Sequence, residues 1–240
     1  MKPKCSHIFK AVLFALLLFS GCVTHETYIR NEETYSQKIP IGNKPTFLIF
    51  GENLLLNDYS LRFKRNTPDN VSYTILSTYK RNKSGRRYDF YKKGEKLYTV
   101  DIIKSDKELD IGNVLGVDVS VKYDIEMAII IHNNYLKEEF KINLDEQRPY
   151  VLFYDSNMGE IKFDYYKSRN KNTPQYDYEI LTGFKISANN EEYGILSFHP
   201  LLLYLKNNTE ITDKMALYIL ATYAHYFHYG SEELSVLRIK

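Results

Sequence analysis

The sequence predicts a mainly β domain, an antiparallel barrel or sandwich of about ten or more strands, with one apolar C-terminal helix packed in or against it. Two observations lead to this fold class. Between Thr46 and Phe198 most segments alternate apolar and polar residues, which is the period of strands buried on one face. Between Met215 and Tyr229 no residue is charged when histidine is neutral, which is typical of a helix surrounded by protein.

The alternation is clearest in the segment GVDVSVKY, where Val117, Val119 and Val121 face one way. KLYTVDI at 96–102 shows the same period. Aromatic residues, which suit strands, are also abundant, with 22 tyrosines and 13 phenylalanines. Clusters of Asn, Lys, Ser and Gly predict turns between the strands. These turns are NKSG at 82–85, KKGE at 92–95, NN at 133–134, NMGE at 157–160 and ANNEE at 188–192.

The predicted helix covers residues 213–229. Thr212 has the side chain of a helix N-cap, and Asp213 suits the positive end of the helix dipole. Gly230 is typical of a helix C-terminus. The helix would be about 25 Å long, which is short for a membrane span.

The N-terminal segment has three lysines, an apolar run AVLFALLLF at 11–19 and then Ser20, Gly21 and Cys22. This order describes a secretory signal peptide. The ending LLLFSGC resembles the lipobox of bacterial lipoproteins, which implies cleavage between Gly21 and Cys22 and acyl chains such as palmitate on Cys22. The resemblance implies a signal peptide at 1–21 and an acylated cysteine at 22. The segment up to residue 44 is polar and lacks clear periodicity, so we expect a flexible tether over 22–44 and one β-rich domain over 45–240.

Charge and cysteine usage fit export of this domain. The 32 basic residues fall to 29 when the three lysines of residues 1–21 are removed, against 30 acidic residues. A nearly neutral domain has no global footprint for nucleic acid. Of the two cysteines, Cys5 lies in the signal segment and Cys22 is the anchor. The expected location is therefore the bacterial cell envelope, with the outer membrane preferred because Val23 is not an aspartate.

An all-β chain that ends in the apolar helix MALYILATYAHYF resembles the tubby-like barrels, which include phospholipid scramblases and LURP-one-related proteins. The resemblance covers about Pro45 to Lys240 and implies a closed antiparallel barrel around the helix, with a role in handling lipids or small ligands. The alternative is an unrelated sandwich or barrel with the helix packed across one end.

Three groups of residues are candidate sites. Tyr218, Thr222, His225 and Tyr229 form a polar stripe along the helix, and its polar atoms need partners or a pocket if they are enclosed. A basic segment, with Lys80, Arg81, Lys83, Arg86 and Arg87, is a candidate anionic-lipid patch, or simply a solubilising hairpin. His199, His225 and His228 could hold a metal, but ring-stacked core histidines are the preferred interpretation, so no metal or cofactor is predicted.

Motifs of known enzyme classes, such as GxSxG, HExxH, the P-loop and GxGxxG, do not occur in this sequence. We therefore expect a non-enzymatic binding or structural domain that is held at the membrane by its acyl chains and has a protein or lipid partner. The alternatives are a barrel that handles lipids or small ligands and, less favoured, a hydrolase whose carboxylates converge only in the folded state.

Overall fold

The computed structural model describes residues 29, 31–43, 53–66, 73–76, 79–114, 117–135, 137–143, 150–168, 180–206 and 209–236, with side chains except at 43, 73–82, 107–125, 143, 168, 180 and 230–236. These residues form 13 strands in one sheet and one α-helix. The strands are β1 Tyr35–Asn43, β2 Asn53–Leu56, β3 Tyr59–Asn66, β4 Tyr73–Leu76, β5 Tyr79–Lys92, β6 Glu95–Val114, β7 Val117–His132, β8 Lys137–Asn143, β9 Tyr150–Asp155, β10 Gly159–Ser168, β11 Ile180–Ala188, β12 Glu191–Phe198 and β13 Leu201–Lys206. The helix, α1, is Asp213–Val236, and a 3₁₀ turn Glu32–Thr34 precedes β1.

The sheet closes on itself. Neighbouring strands follow one another around the ring, except that β13 pairs with β1 and β5 pairs with β3. This gives a closed antiparallel barrel of 12 strands, and β4 pairs with β5 beside the ring. Closure removes the free edges along which sheets aggregate. The predicted fold class is therefore confirmed in its barrel form.

Along each strand, side chains point alternately into the filled interior of the barrel and toward its outer surface. On β5 and β6, Tyr88, Phe90, Val100 and Ile102 have no exposed area and point inward. The residues between them, such as Asp101, point outward because successive side chains of a strand lie on opposite faces. The period-two pattern of the sequence thus marks the inner wall of the barrel.

Helix α1 lies inside the barrel. Residues 215–225 are all buried, with at most 8% of any residue exposed, and they make about three turns, so every face of the helix is covered. Tyr218 stacks on Phe153 of β9, with ring centroids 4.3 Å apart. Tyr226 stacks on Phe198 of β12 at 4.1 Å. Contacts with separate parts of the ring require strands on more than one side of the helix.

Three predicted boundaries were wrong. The segment predicted as a flexible tether contains β1, whose backbone pairs with β13 and β2; the two neighbours supply hydrogen bonds that its irregular polarity does not reveal. NKSG does not turn, because β5 pairs with β6 along its length, including Gly85 with Ile103. Helix α1 continues past Gly230 to Val236, since one glycine costs a helix only about 1 kcal/mol.

The other predicted turns are confirmed, and they lie at the same end of the barrel as the start of α1. Lys93 and Gly94 have φ of 49° and 87°, and Asn189 and Asn190 have φ of 50° and 67°. These are the left-handed conformations that tight hairpins need. The turns at 133–135 and 156–158 lie at this end too, because successive hairpins of an antiparallel barrel alternate between its ends. We call it the tight-turn end.

Within the part of the chain that the structure describes, no helix combines the length and the apolar character that crossing a membrane requires.

Candidate functional site

The start of helix α1 is held firmly at the tight-turn end. The predicted N-cap is confirmed, since Thr212 Oγ1 accepts the backbone N–H of Met215 at 3.2 Å. Asp213 accepts hydrogen bonds from the Tyr59 hydroxyl at 2.8 Å and from Lys92 Nζ at 2.7 Å. The bond from Lys92 contributes most to lowering the pKa of Asp213. These contacts fix the position of Lys214, the next residue.

A cavity of about 280 Å³ opens beside Lys214 at this end of the barrel. We call it the mouth cavity. Its walls come from β6, β7, β8, the turn after β9 and the first turn of α1. The lining residues are Tyr98, Ile131, His132, Asn133, Glu138, Ser156 and Lys214.

The cation of the mouth cavity is already paired. Lys214 Nζ lies 3.1 Å from Asp155 Oδ2 and 3.6 Å from Glu138 Oε1. Asp155 Oδ1 also accepts the backbone N–H groups of Asn157 and Met158, at 2.8 and 3.0 Å. Burial raises the pKa of Asp155. These hydrogen bonds and the charge of Lys214 lower the pKa by more than burial raises it, so the pKa of this carboxyl lies below its usual value. Asp155 is therefore ionised at neutral pH.

His132 follows the inward-facing Ile131 of β7, so its side chain points to the outer face, where it belongs to a second charge network. Its Nε2 lies 3.2 Å from Asp101 Oδ2. Arg87 donates to both oxygens of Asp101, with Nε and Nη2 at 2.6 and 2.7 Å. A bidentate guanidinium–carboxylate pair of this kind is rigid. It holds the imidazole in place on the outer face of the barrel.

Tyr218 lies next to the cavity, one helical turn beyond Lys214. Its ring packs between Phe153 and Phe140, with centroids 4.3 and 6.0 Å away. Among the described residues its buried hydroxyl has no hydrogen-bond partner. Burial raises its pKa above the usual value, with smaller contributions from Asp155 and from the cavity residues Glu138 and Tyr98. The hydroxyl is therefore a neutral donor close to the cavity wall.

The structure brings the rest of the predicted stripe into the barrel interior. Thr222 and His225 have no exposed area, and Tyr229 is 8% exposed. Among the described residues Thr222 Oγ1 has no hydrogen-bond partner, whereas His225 Nε2 lies 3.2 Å from Met127 Sδ. Burial lowers the pKa of His225 to about 3. Of the four stripe residues, only Tyr218 approaches the mouth cavity.

The three histidines proposed as alternative metal ligands are not brought together. His199 is exposed, while His225 is buried against Met127. His228 lies 6.3 Å from the ring of Tyr88, centroid to centroid, and burial lowers its pKa to about 4. Over all the residues whose positions are described, no three His, Cys, Asp or Glu side chains form a group that could hold a metal ion.

The basic segment is one strand, not a hairpin, so its charges divide between two faces. Arg86 is on the inner face, with its guanidinium carbon 5.4 Å from the centre of the Phe63 ring. Arg87 is on the outer face and bonds to Asp101. Lys83 is exposed, and the side chains of Lys80 and Arg81 lie outside the described residues. Arg86 and Arg87 therefore lie on opposite faces of β5.

Sequence patterns did not predict the mouth cavity. Its residues come from distant elements, and none forms a motif with its neighbours in sequence. A usable signal existed in the turns at 133–134 and 157–160 and in the helix start at Thr212, because hairpin turns separated by two strands meet at the same end of a barrel. Gly21 and Cys22 lie outside the described residues.

No family model, curated protein or solved structure matches this chain.

Proposed function

We propose that this protein is a bacterial envelope lipoprotein whose barrel is a non-enzymatic binding domain, attached to the membrane through acyl chains on Cys22. The observation behind the anchor is the run LLLFSGC after a short apolar segment with a basic start. Two or three acyl chains hold a protein firmly on a bilayer. The outer membrane is the preferred location.

The interior of the barrel is filled, which favours binding of a ligand at the surface rather than storage of a ligand inside. Helix α1 occupies the centre of the barrel, and the inward side chains of Phe153, Phe163 and Phe184 have no exposed area. A lipid tail could enter only by displacing the helix. Among the described residues, the mouth cavity is a place where a small molecule or a partner group can be received without unfolding, so the ligand-handling alternative is applied to this cavity.

The charges of the cavity support binding over hydrolysis. Glu138 and Asp155 converge, but they converge on Lys214. A hydrolase acid needs a pKa raised toward neutrality, whereas the pKa of Asp155 is lowered. These ion pairs stabilise the fold and hold polar groups in fixed positions at the cavity, as a binding site requires.

The anchor is tested by metabolic labelling of the full-length protein with an alkyne fatty acid in a bacterial host. The expected result is that the wild-type protein and the Cys5→Ser variant are labelled and remain in the membrane fraction. The Cys22→Ser variant should be unlabelled and should appear as the uncleaved precursor. Equal labelling of the Cys22→Ser and wild-type proteins would overturn the proposal.

A further inference from the structure

The mouth cavity has the size of a small, compact ligand. Its volume of about 280 Å³ is just below the range of about 300–1,000 Å³ for pockets that hold drug-sized molecules. It equals the space of about nine water molecules. A single sugar ring fits such a volume, whereas a peptide of several residues or an acyl chain does not.

The cavity presents charged groups that are already compensated within the protein. Lys214, the cation that lines the cavity, is held by Asp155 and Glu138. An ionic ligand would have to break one of these pairs, and breaking a partly buried pair leaves a charge without its partner. The electrostatics therefore favour a neutral ligand.

The walls offer hydrogen-bond donors and acceptors beside an apolar face. Glu138 is an acceptor, Lys214 is a donor, and the hydroxyls of Tyr98 and Ser156 can do both. Ile131 is 3% exposed, and Tyr98 packs against Phe90 with ring centroids 6.2 Å apart. A sugar has the complementary surface, because its hydroxyls donate and accept while its C–H faces are apolar.

We propose that the mouth cavity binds a neutral, polyhydroxylated ligand, specifically one uncharged sugar unit at the end of a glycan. This inference rests on the proposed role of the barrel as a binding domain, and it does not depend on the anchor. Glu138 accepts hydrogen bonds from the sugar hydroxyls, and Ile131 with the ring of Tyr98 packs against the sugar face. Because the cavity lies at the tight-turn end of the barrel, the rest of the glycan can remain outside.

The experiment is a calorimetric titration of the full-length protein in a polyoxyethylene detergent, since alkyl glycoside detergents would compete. The neutral probes are the methyl glycosides of glucose, galactose and mannose, and N-acetylglucosamine. The charged probes are glucose 6-phosphate, glucuronate and glucosamine. We expect at least one neutral probe to bind with an affinity near the millimolar range, and its charged counterparts to bind at least about ten-fold more weakly.

Two neighbouring residues of β8 give matched variants. Glu138→Gln weakens binding of the neutral probe by about ten-fold or more, because the oxygen that accepts from the sugar hydroxyls loses its charge. Glu139→Gln leaves binding unchanged, since Glu139 is exposed and lies on the opposite face of the strand. Ser156 lies in an exposed turn. If Glu138→Gln does not fold, the Ser156→Ala variant tests the cavity instead, and it should also bind the neutral probe more weakly than the wild type.

Three results would overturn the inference: no binding of any neutral probe, tighter binding of a charged probe, or equal binding by wild type and the folded cavity variants. Failure of the anchor appears separately, as loss of the difference in labelling between the Cys22→Ser and wild-type proteins.

Discussion

Helix α1 meets the barrel through charged side chains at its N-terminal end, and through uncharged polar and aromatic side chains between Met215 and Tyr229. At the first end, Asp213 and Lys214 are 42% and 29% exposed and bond to groups on the strands. Deeper in the barrel, Thr222 and His225 have no exposed area. Both regions belong to one helix and face one sheet, so the difference in side-chain charge follows from how far each region lies from solvent.

The comparison shows how polar groups are tolerated inside a filled barrel. Near the mouth, partial hydration and ion pairing together offset the loss of water around each charge. In the interior, burial keeps His225 and His228 neutral by lowering their pKa to about 3 and about 4. Charge at the mouth suits recognition of a ligand, whereas neutrality in the interior maintains the packing.

The largest expected effect comes from breaking the interior. Phe153→Ala removes the ring that stacks on Tyr218 and should lower the free energy of unfolding by about 3–5 kcal/mol, because a fully buried phenylalanine leaves a cavity. The neighbouring Tyr154 is 61% exposed on the outer face. Tyr154→Ala should therefore change stability by about 0.5 kcal/mol or less. Urea denaturation followed by circular dichroism measures both, and similar losses would contradict the inner and outer assignment.

A second effect is the acid sensitivity of the interior. The pKa of His225 is lowered from 6.5 to about 3 by burial, so the unfolded chain takes up a proton below pH 6.5 while the folded chain does not. Stability is therefore highest above pH 6.5. It should fall by about 1.4 kcal/mol per pH unit below that value for this residue. His228, whose pKa is lowered to about 4, adds a smaller loss.

The variant His225→Leu should flatten this slope between pH 6.5 and about 4.5, whereas His199→Gln, at an exposed turn, should leave it unchanged. The carboxyl groups with lowered pKa, such as Asp155, contribute stability above pH 3.8 and lose it at lower pH, outside this window. Urea titrations at a series of pH values measure the slope. An unchanged slope in His225→Leu would show that the imidazole is not held neutral.

The smallest expected effect compares two tyrosine hydroxyls. Tyr59→Phe removes a donor to Asp213 and should cost about 1–2 kcal/mol, because the partner is charged. Tyr218→Phe removes a hydroxyl with no partner among the described residues, so it should leave stability unchanged or raise it by about 1 kcal/mol. Thermal unfolding of the two variants measures the difference. A loss in Tyr218→Phe equal to that in Tyr59→Phe would reveal a bound partner at this position.

Much of the fold was predictable because it depends on local periodicity. Val100 and Ile102 alternate with polar neighbours, and they form part of the inner wall. Thr212 caps the helix as predicted. The polar segment that forms β1 and the glycine inside β5 were misread, because their conformation is set by pairing with strands that are distant in sequence. Such pairing leaves no signal in a window of ten residues.

The candidate site was less predictable than the fold. The stripe from Tyr218 to Tyr229 was correctly judged to be enclosed, because a charge-free helix must be surrounded. The mouth cavity was not predicted, since its lining residues come from β6, β7, β8, the turn after β9 and α1. The predicted turns and the helix start indicate a shared end of the barrel, but they do not indicate that these side chains meet.

By itself, the sequence determined the period of the strands, the start of the helix and the absence of charge between Met215 and Tyr229, because each depends on residues that are neighbours in the chain. Only the tertiary structure decided that β3 pairs with β5 to close the barrel, that the helix lies inside it, and that Asp155 and Glu138 converge on Lys214. These features depend on ring closure, which brings together side chains with no sequence relation to one another.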